Sequence, residues 1–298
     1  MTQFVHKVTS EDAGMEVREI TRKYFDFSAR LRNRIKRQKL TMRNGETTEG
    51  WHRVCEGDVI SITLPDEHSY FPPEDIPLDI VFEDDDLMVI NKQPGLVVHP
   101  TNGCKSGTCA NALAHYMEKT GHIFKIRFVN RLDRDTSGLL LVSKNAYCQN
   151  HITNQMKQDL IHKKYTAIVK GIVSSERGTI DLPIGRPDRE DIRRGVHQDG
   201  APSVTHYEVL NYLNGHTLIE LRLETGRTHQ IRVHMSHIGH PVLGDSLYGE
   251  EEPDLIGRQA LHASGLSFIH PITKERVDFE APLPEDMRRA ISLLSDNI

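Results

Sequence analysis

Short apolar runs separated by turn-forming residues dominate the chain and predict many strands. Runs that alternate or are continuously apolar over about four to eight residues are typical of strands. Such runs occur at residues 87–90, 96–98, 139–142, 164–170, 204–212, 216–223, 266–268 and 277–279. Asn214-Gly215 is a typical hairpin turn, while the polar residues 183–202 predict a long loop. Consecutive hairpins with interspersed helices predict an α+β domain built on a largely antiparallel sheet.

Apolar residues at helical spacing predict helices between these strands. One helix is expected over residues 108–120, and another begins after Asn145, whose side chain can cap it. A third helix has Thr228 as its expected N-cap and ends before Gly239. A terminal helix is expected from about Pro284.

The first segment, up to about residue 65, is organised differently. Ile20 with Tyr24, and Leu31 with Ile35, lie four residues apart among basic residues and predict short amphipathic helices. A short strand is expected from Val59. Basic helices followed by a small β element resemble the alpha-L RNA-binding fold.

A proline-rich linker follows this segment. The prolines that mark it fall within thirteen residues and are Pro65, Pro72, Pro73 and Pro77. Proline stiffens extended chain and removes backbone donors. We therefore predict a small basic, RNA-binding-like domain with its linker over residues 1–72 and a second domain over residues 73–298.

Charge is distributed unevenly along the chain. The net charge is −5, yet the stretch from Arg18 to Arg43 carries ten Lys or Arg against only Glu19 and Asp26. Such asymmetry indicates a dedicated basic surface that attracts polyanions. The alternative is a solvated helix face that serves solubility alone.

Composition is typical of a soluble globular protein. No apolar run approaches the roughly 20 residues that span a bilayer, and residues 1–4 begin no signal-peptide hydrophobic region. The cysteines form neither a CxxC pair nor a disulfide framework; they are Cys55, Cys104, Cys109 and Cys148. We expect a reduced, cytoplasmic protein without a membrane segment, and a monomer by default.

The most informative local pattern surrounds Asp133. Two carboxylates and two guanidiniums occupy residues 131–135, just before the apolar run 139–142 that predicts a buried strand. An adjacent cation favours the ionised carboxylate, which is the state that a nucleophile requires. On these residues alone, Asp133 can equally be a turn carboxylate bonded to Arg131.

Four stretches, in their order and spacing, resemble the RluA-type pseudouridine synthases. They are residues 87–100, 130–138, 164–167 and 225–234. The blocks Arg-Leu-Asp-x-x-Thr-Ser-Gly and Gly-Arg-Thr-His-Gln-Ile-Arg are the most specific, and the resemblance extends from about residue 80 to residue 283. It implies a mixed, mainly antiparallel central sheet flanked by helices, with the site in a cleft across the middle of the sheet.

The resemblance also assigns roles to single residues. Asp133 matches the catalytic aspartate, Tyr165 the active-site tyrosine, and Arg232 the arginine that pairs with the aspartate. The remaining motif residues are expected to bind substrate; they are Arg131, which takes the place of the extruded base, with Lys92, Leu132, Arg227 and His229. Without the resemblance, Tyr165 can be an ordinary core tyrosine, and Arg232 can extend along an apolar stripe to water.

Two positions depart from the usual pattern of the family. Asn130 stands where the family often has histidine, and Gly200-Ala201 stands where it often has Gly-Lys. Both positions concern RNA contacts or loop packing, so they bear on the substrate more than on the reaction.

The activity implied is the isomerisation of specific uridines in structured rRNA or tRNA to pseudouridine. The change is redox-neutral, and we expect neither a metal nor a nucleotide cofactor. The target base must leave its stack to be reached. Two alternatives remain: a non-catalytic RNA-binding or ribosome-assembly protein that kept the fold, and a metal-dependent hydrolase.

Clustered histidines raise the question of a metal site. His229, His234, His237 and His240 lie within twelve residues. A metal needs ligands on one face plus a third or fourth group, but the sequence has no HExxH motif and no cysteine nearby. We expect these histidines to contact backbone or phosphate instead.

Overall fold

The N-terminal part of the chain folds into a small antiparallel sheet with two helices. The computed structural model describes residues 2–187 and 193–295. Its first strands are β1 (Gln3–Lys7), β2 (Thr41–Arg43), β3 (Glu46–Thr47) and β4 (Val59–Thr63), in the spatial order β1-β4-β2-β3. Helices α1 (Val17–Tyr24) and α2 (Ala29–Arg37) lie between β1 and β2 along the chain. The predicted helices and short strand are therefore present.

The two helices each bury an apolar stripe. Ile20 of α1, and Leu31 and Ile35 of α2, are buried, whereas Arg30 is exposed. Ser28 caps α2, because its hydroxyl accepts a hydrogen bond from the backbone N–H of Leu31 at 3.3 Å. Burial of the apolar stripe turns much of the basic charge of α2 toward solvent.

The remainder of the described chain is built on a ten-stranded sheet. Its strands are β5 (Asp79–Glu83), β6 (Leu87–Lys92), β7 (Arg127–Phe128), β8 (Ser137–Ser143), β9 (His162–Lys170), β10 (Arg177–Asp181), β13 (Val204–Leu213), β14 (His216–Leu223), β15 (Leu261–Ile269) and β16 (Arg276–Glu280). A separate two-stranded ladder consists of β11 (Ile184–Gly185) and β12 (Gly195–Val196).

Pairing in the large sheet is mainly antiparallel. The main path runs β10-β13-β14-β9-β15-β8-β6-β5, with β16 on β15 and β7 on β8. Strands β15 and β8 pair in parallel, while the other strand pairs of the large sheet within the described ranges are antiparallel. Every residue of β8 is buried, so this central strand forms a firm base for the loop before it. The predicted mixed, mainly antiparallel α+β fold is confirmed.

Four further helices flank this sheet in the described part of the chain. They are α3 (Cys109–Thr120), α4 (Ala146–Lys157), α5 (Gln230–His237) and α6 (Glu285–Ser295). Asn145 caps α4 as predicted, since its side chain accepts a hydrogen bond from the N–H of Cys148 at 2.9 Å. None of the helices within residues 2–187 and 193–295 is long and apolar enough to cross a bilayer.

The predicted start of α5 is wrong by one residue. His229, and not Thr228, occupies the N-cap position, and its backbone is left-handed, with a φ of 59°. Gln230 fixes the turn before the helix, because its side-chain oxygen accepts hydrogen bonds from the N–H of Arg227 at 3.0 Å and from the hydroxyl of Thr225 at 2.8 Å. The turn before the helix is thereby closed by a side chain within it.

The strand predicted at residues 96–98 is also wrong. The chain turns at Gly95, whose φ is 82°, and Val97 then forms only an isolated bridge with Thr108. The carbonyl of Leu96 accepts a hydrogen bond from the Lys92 ammonium at 3.0 Å, so it is not used in a strand ladder. The predicted loop 183–202 contains the ladder of β11 and β12, while its residues 188–192 lie outside the described residues.

The N-terminal sheet and the large sheet share one apolar core. Phe4 and Phe27 pack against Tyr147 of α4, with ring centroids 4.6 and 5.7 Å from that of Tyr147. The same buried cluster includes Ile20 of α1 and Ile152 of α4. The N-terminal part is therefore packed firmly against the body of the protein.

Candidate active site

The loop that carries Asp133 is fixed to the central strand by its own polar groups. Asn130 accepts a hydrogen bond from the N–H of Leu141 at 2.7 Å and donates one to the carbonyl of Leu139 at 3.1 Å. The N–H of Thr136 donates to the carbonyl of Asp133 at 3.2 Å. Asn130, which departs from the family pattern, thus contributes to loop packing.

Gly138 allows β8 and β15 to meet at the base of this loop. Its φ is 108°, and a Cβ placed on it would lie 2.2 Å from the carbonyl oxygen of Ala263. Any side chain at this position would force the parallel pair apart. The glycine at the end of the Arg-Leu-Asp-x-x-Thr-Ser-Gly block is therefore required by backbone contact.

Arg232 of α5 lies between two carboxylates. Its Nη1 donates to Oδ2 of Asp133 at 3.1 Å. On its other side, Nε and Nη2 donate to the two oxygens of Asp245 at 2.6 and 2.8 Å. The side chain of Asp245 is fully buried, whereas that of Asp133 is 21% exposed. Asp245 therefore anchors the guanidinium, and Asp133 retains an oxygen that faces the cleft.

The electrostatics of this pair of contacts keep Arg232 charged. Burial alone would lower the pKa of Arg232, but hydrogen bonding to Asp245 and attraction to both carboxylates raise the pKa above its ordinary value. The guanidinium is therefore a permanent cation 3.1 Å from the Asp133 carboxylate.

Tyr165 projects from β9 into the same site. Its side chain is buried, and its hydroxyl makes no hydrogen bond to any residue that the structure describes. Burial, and then the charge of Asp133, raise the pKa of Tyr165 well above its usual value. The phenol is therefore protonated at neutral pH.

A void of about 50 Å³ lies between these groups. Its lining includes the apolar side chains of Leu132, Leu223, Ile231 and Leu261 beside the charged groups. This volume accommodates roughly one or two water molecules. The void opens to solvent, since the side chain of Asp133 is 21% exposed, so a ligand can reach Asp133 from that side.

His229 and Tyr248 form a second polar contact beside Asp133. The imidazole Nδ1 of His229 lies 2.8 Å from the hydroxyl of Tyr248, and its Nε2 lies 3.9 Å from Oδ1 of Asp133. Burial lowers the pKa of His229, which favours the neutral imidazole. The ring of Tyr248 also lies against the guanidinium of Arg232, with 5.1 Å between the ring centroid and Cζ.

The structure brings most of the predicted site residues together. Those that line the void are Arg131, Leu132, Asp133, Tyr165, Arg227, His229 and Arg232. They come from the loop before β8, from β9, and from the turn and first part of α5. Residues nearly one hundred positions apart therefore meet at one place in the fold.

Lys92 is the exception, because it does not line the void and the predicted contact with substrate does not fit its position. Its side chain is 1% exposed. Its ammonium donates to the carbonyls of Gln93, Leu96 and Arg134 at 2.9, 3.0 and 2.8 Å. Because all three ammonium hydrogens have protein acceptors, Lys92 ties the end of β6 to the Asp133 loop instead of reaching the cleft.

Two residues of the site have no role in the sequence analysis. Asp245 and Tyr248 follow the buried pair Val242-Leu243, and an acid beside such a run indicates that it has a buried partner. The N–H groups of Leu247 and Tyr248 donate to Oδ1 of Asp245 at 3.0 and 3.1 Å. Asp245 therefore organises its own turn as well as Arg232.

Two of the clustered histidines contact protein groups. His234 is buried, with Nδ1 2.8 Å from the hydroxyl of Thr205 and Nε2 2.9 Å from the carbonyl of Leu182. His240 lies 2.9 Å from the carbonyl of Lys170. Within the described ranges, no group of three or more His, Cys, Asp or Glu side chains is arranged to hold a metal ion.

Comparison with known proteins identifies the family. The family model described as RNA pseudouridylate synthase matches residues 86–237, about half of the chain. A Bacillus subtilis (strain 168) protein, the uncharacterized RNA pseudouridine synthase YlyB, is 44% identical over 258 residues, which cover 85% of each chain. The ribosomal large subunit pseudouridine synthase D of Escherichia coli (strain K12) is 36% identical over 308 residues, which cover 98% of this chain and 94% of the relative.

Solved structures agree with these relatives. Human RNA pseudouridylate synthase domain containing 1 superposes with a TM-score of 0.58 at 30% identity, covering 72% of this chain and 86% of the human one. Human RNA pseudouridylate synthase domain containing 4 gives a TM-score of 0.60 at 25% identity, with 72% and 92% covered. The chain therefore belongs to the RNA pseudouridylate synthase family, whose members are isomerases.

Proposed function

We propose that this enzyme isomerises specific uridines in structured RNA to pseudouridine, with Asp133 as the nucleophile. One observation carries the proposal: the Asp133 carboxylate is hydrogen-bonded to Arg232 at 3.1 Å and lines the same void as Tyr165. A carboxylate held in place beside a fixed cation is suited to nucleophilic attack.

The reaction rearranges bonds without electron transfer. The bond from the ribose C1′ to N1 of uracil breaks, the base turns, and a bond from C1′ to C5 forms. C5 loses its proton, N1 gains one, and the atomic composition is unchanged. Asp133 can act by attack at C1′, by attack at C6 of the base, or by assisting elimination at the sugar. Each route needs the ionised carboxylate, and none needs an oxidant or a nucleotide cofactor.

Arg232 and Tyr165 have separate roles in this proposal. Arg232, anchored by Asp245, orients Asp133. Tyr165 offers an aromatic face for stacking against the uracil, and its raised pKa keeps a proton on the phenol. Because the phenol is protonated at neutral pH, Tyr165 can donate a proton but is unsuited to remove one.

Base flipping is required for access to Asp133. Arg131 is exposed and lies at the rim of the void, where its guanidinium can replace the extruded base in the helix. Extrusion costs a few kcal/mol, and RNA binding supplies this energy.

The proposed substrate is ribosomal or transfer RNA, with large-subunit ribosomal RNA favoured. The relatives named ribosomal large subunit pseudouridine synthase D align over as much as 98% of this chain. We propose that residues 1–72 form an RNA-binding-like domain with its linker and that residues 73–298 form the catalytic domain of a monomeric enzyme. The basic charge of α1 and α2 supports this division.

Pseudouridine mapping tests the proposed function. Purified protein is incubated with unmodified ribosomal and transfer RNA, and pseudouridine is located by chemical labelling and primer extension. We expect new pseudouridine at one or a few defined uridines, and the RNA that carries them identifies the substrate. A non-catalytic RNA-binding or ribosome-assembly protein would leave every uridine unchanged.

A further inference from the structure

A groove of about 790 Å³ lies between the N-terminal sheet and the body of the protein. One wall is α2, and the other is α4. The floor contains residues 125–132, so the inner end of the groove reaches Arg131 and Leu132, which also line the void around Asp133. The groove therefore leads directly to the candidate active site.

The side chains of this groove are strongly cationic. Its lining includes a single acid, Glu67, and six cations: Arg30, Arg34, Lys125, Arg127, Arg131 and Lys157. Glu67 is paired with both Arg34 and Arg127. The other four cations have no ion-pair partner among the residues that the structure describes, and all four are exposed. Unpaired cations along a groove attract a polyanion.

The α4 wall adds uncharged polar groups to these cations. Its groove-lining side chains recur on one helical face and are Gln149, Asn150, Thr153, Asn154 and Lys157. Amides and hydroxyls contact the phosphate oxygens and ribose hydroxyls of RNA helices. On the α2 side, the polar surface continues beyond Arg30 through Asn33 and Arg37. A track from Arg131 to Arg37 is thus lined by groups that suit a sugar–phosphate backbone.

The relative position of the two walls is fixed. Glu67 links Arg34 of α2 to Arg127 of β7, and Arg34 also donates to the carbonyl of Asp66 at 3.2 Å. Beneath the groove, Phe27 packs on Tyr147 of α4, with ring centroids 5.7 Å apart. A preformed groove loses less conformational entropy when it binds.

We propose that this groove binds the backbone of an RNA helix that flanks the target uridine. The inference rests on the proposed function. A helix fits better than a single strand, because single strands are bound by stacking on aromatic faces. The rings that line this groove, His99 and Phe128, pack edge to face on each other with centroids 6.3 Å apart. The catalytic domain therefore contributes α4 to RNA binding.

Fluorescence anisotropy with a labelled RNA duplex tests the proposal. The probe has about 20 base pairs and contains only guanosine and cytidine, so it carries no substrate base. The test protein is the double variant Arg30→Ala/Lys157→Ala, which removes one exposed cation from each wall. The control is Lys119→Ala/Arg289→Ala, which removes two exposed cations that do not line the groove and lie outside the N-terminal part.

The double variant is expected to bind the duplex about tenfold more weakly, and its slope of log affinity against log salt should fall by about two. The control should keep the wild-type affinity and slope. Equal losses in both proteins would show diffuse attraction and overturn the proposal, as would an unaltered double variant. The double variant could also keep its affinity for the duplex and lose affinity only for polycytidine or for polyglutamate. That result would overturn the proposal, because it would identify a single strand or an acidic protein as the occupant.

The assay also separates this inference from the proposed function. The duplex contains no uridine, so its binding does not depend on isomerisation. If the double variant bound the duplex as well as the wild type, RNA-helix binding by the groove would be refuted, while pseudouridine formation would be unaffected. An absent product on uridine-containing RNA would overturn the proposed function, while the groove would still be measured by duplex binding.

Discussion

Asp245 determines how Arg232 meets Asp133. Two hydrogen bonds to a fully buried carboxylate fix the Nε–Nη2 edge of the guanidinium, and Nη1 on its far side donates to Asp133 at 3.1 Å. A bidentate contact of this kind fixes the plane of the guanidinium as well as its position. The orientation of the proposed nucleophile therefore depends on a residue that does not touch the void.

Replacing Asp245 with asparagine should impair activity and stability together. We expect kcat to fall about 10- to 100-fold, because a supporting contact orients the reacting group, and the free energy of unfolding to fall by about 3 kcal/mol. Single-turnover kinetics and urea denaturation measure the two effects. The control is Asp12→Asn, a fully buried acid paired with Lys23 in the N-terminal part, which should lose stability without losing kcat. Unchanged kcat in Asp245→Asn would contradict this role.

The residues that meet at the void were predictable from the sequence where they lie in a motif. Asp133, Tyr165 and Arg232 were selected by the resemblance, and the structure brings them to one void. Lys92 was misjudged, because a lysine at the end of a strand does not reveal whether it points to solvent or inward. The anchoring of Arg232 by Asp245 also escaped prediction, because it depends on how α5 packs against the following turn.

At the level of elements, the site depends on a loop tied to two neighbouring strands. Asn130 bonds this loop to β8, while Lys92 bonds it to the end of β6. Burial lowers the pKa of Lys92 from 10.5 to about 8. The folded protein therefore binds fewer protons at this group than the unfolded chain does between pH 8 and pH 10.5.

The free energy of unfolding should therefore depend on pH through Lys92. Because the pKa of Lys92 is lower in the folded protein, the free energy of unfolding should rise as pH increases from about 8 to 10.5, by up to about 3 kcal/mol. Lys92→Met should lose this rise, and it should be less stable at pH 7 because three carbonyls lose their donor. Denaturant titrations at several pH values measure both effects.

Lys144→Met provides the control for this experiment. It removes another buried lysine, which pairs with Glu83, and leaves Lys92 intact. The rise above pH 8 should therefore persist in this variant. If the wild type and Lys92→Met showed the same pH dependence, the account of this anchor would be contradicted.

Most elements were predictable from periodicity, because the apolar runs that form β6, β8, β9, β13 and β14 are bounded by turns. The failures occurred where side chains replaced backbone pairing. Lys92 donates a hydrogen bond to the carbonyl of Leu96, which strand pairing would otherwise use. Gln230 fixes the turn before α5, where Thr228 was expected to be the N-cap. Periodicity reports which face is buried, but it does not report such competing hydrogen bonds.

At the scale of the whole molecule, the N-terminal part and the body are joined by an aromatic cluster. Phe4 and Phe27 pack against Tyr147 and against each other, and Phe25 packs against Phe27. Phe27 is almost completely buried. This contact places the basic helix α2 opposite α4. The proline content of the linker predicted a boundary, but it contained no information about this packing.

Phe27→Ala should loosen the contact between the two parts. We expect a loss of about 3–5 kcal/mol and faster proteolytic cleavage within residues 65–77, because undocking breaks the contacts of Asp66 and Glu67 with Arg34 and frees that segment. Limited proteolysis under native conditions measures the cleavage. Leu113→Ala, which removes a buried side chain of α3 in a different cluster, should lower stability without this cleavage. Equal cleavage in both variants would refute the docking role of Phe27.

Replacement of Asp133 shows whether its carboxylate performs the isomerisation. We compare Asp133→Asn with the control Asp135→Asn, which alters a carboxylate of the same loop that is paired with Arg134. Each variant is incubated with an RNA that the wild type modifies, and pseudouridine is quantified. We expect no detectable product from Asp133→Asn at saturating RNA and substantial product from Asp135→Asn. Pseudouridine formation by Asp133→Asn at a rate comparable to the wild type would refute the role of Asp133 as nucleophile.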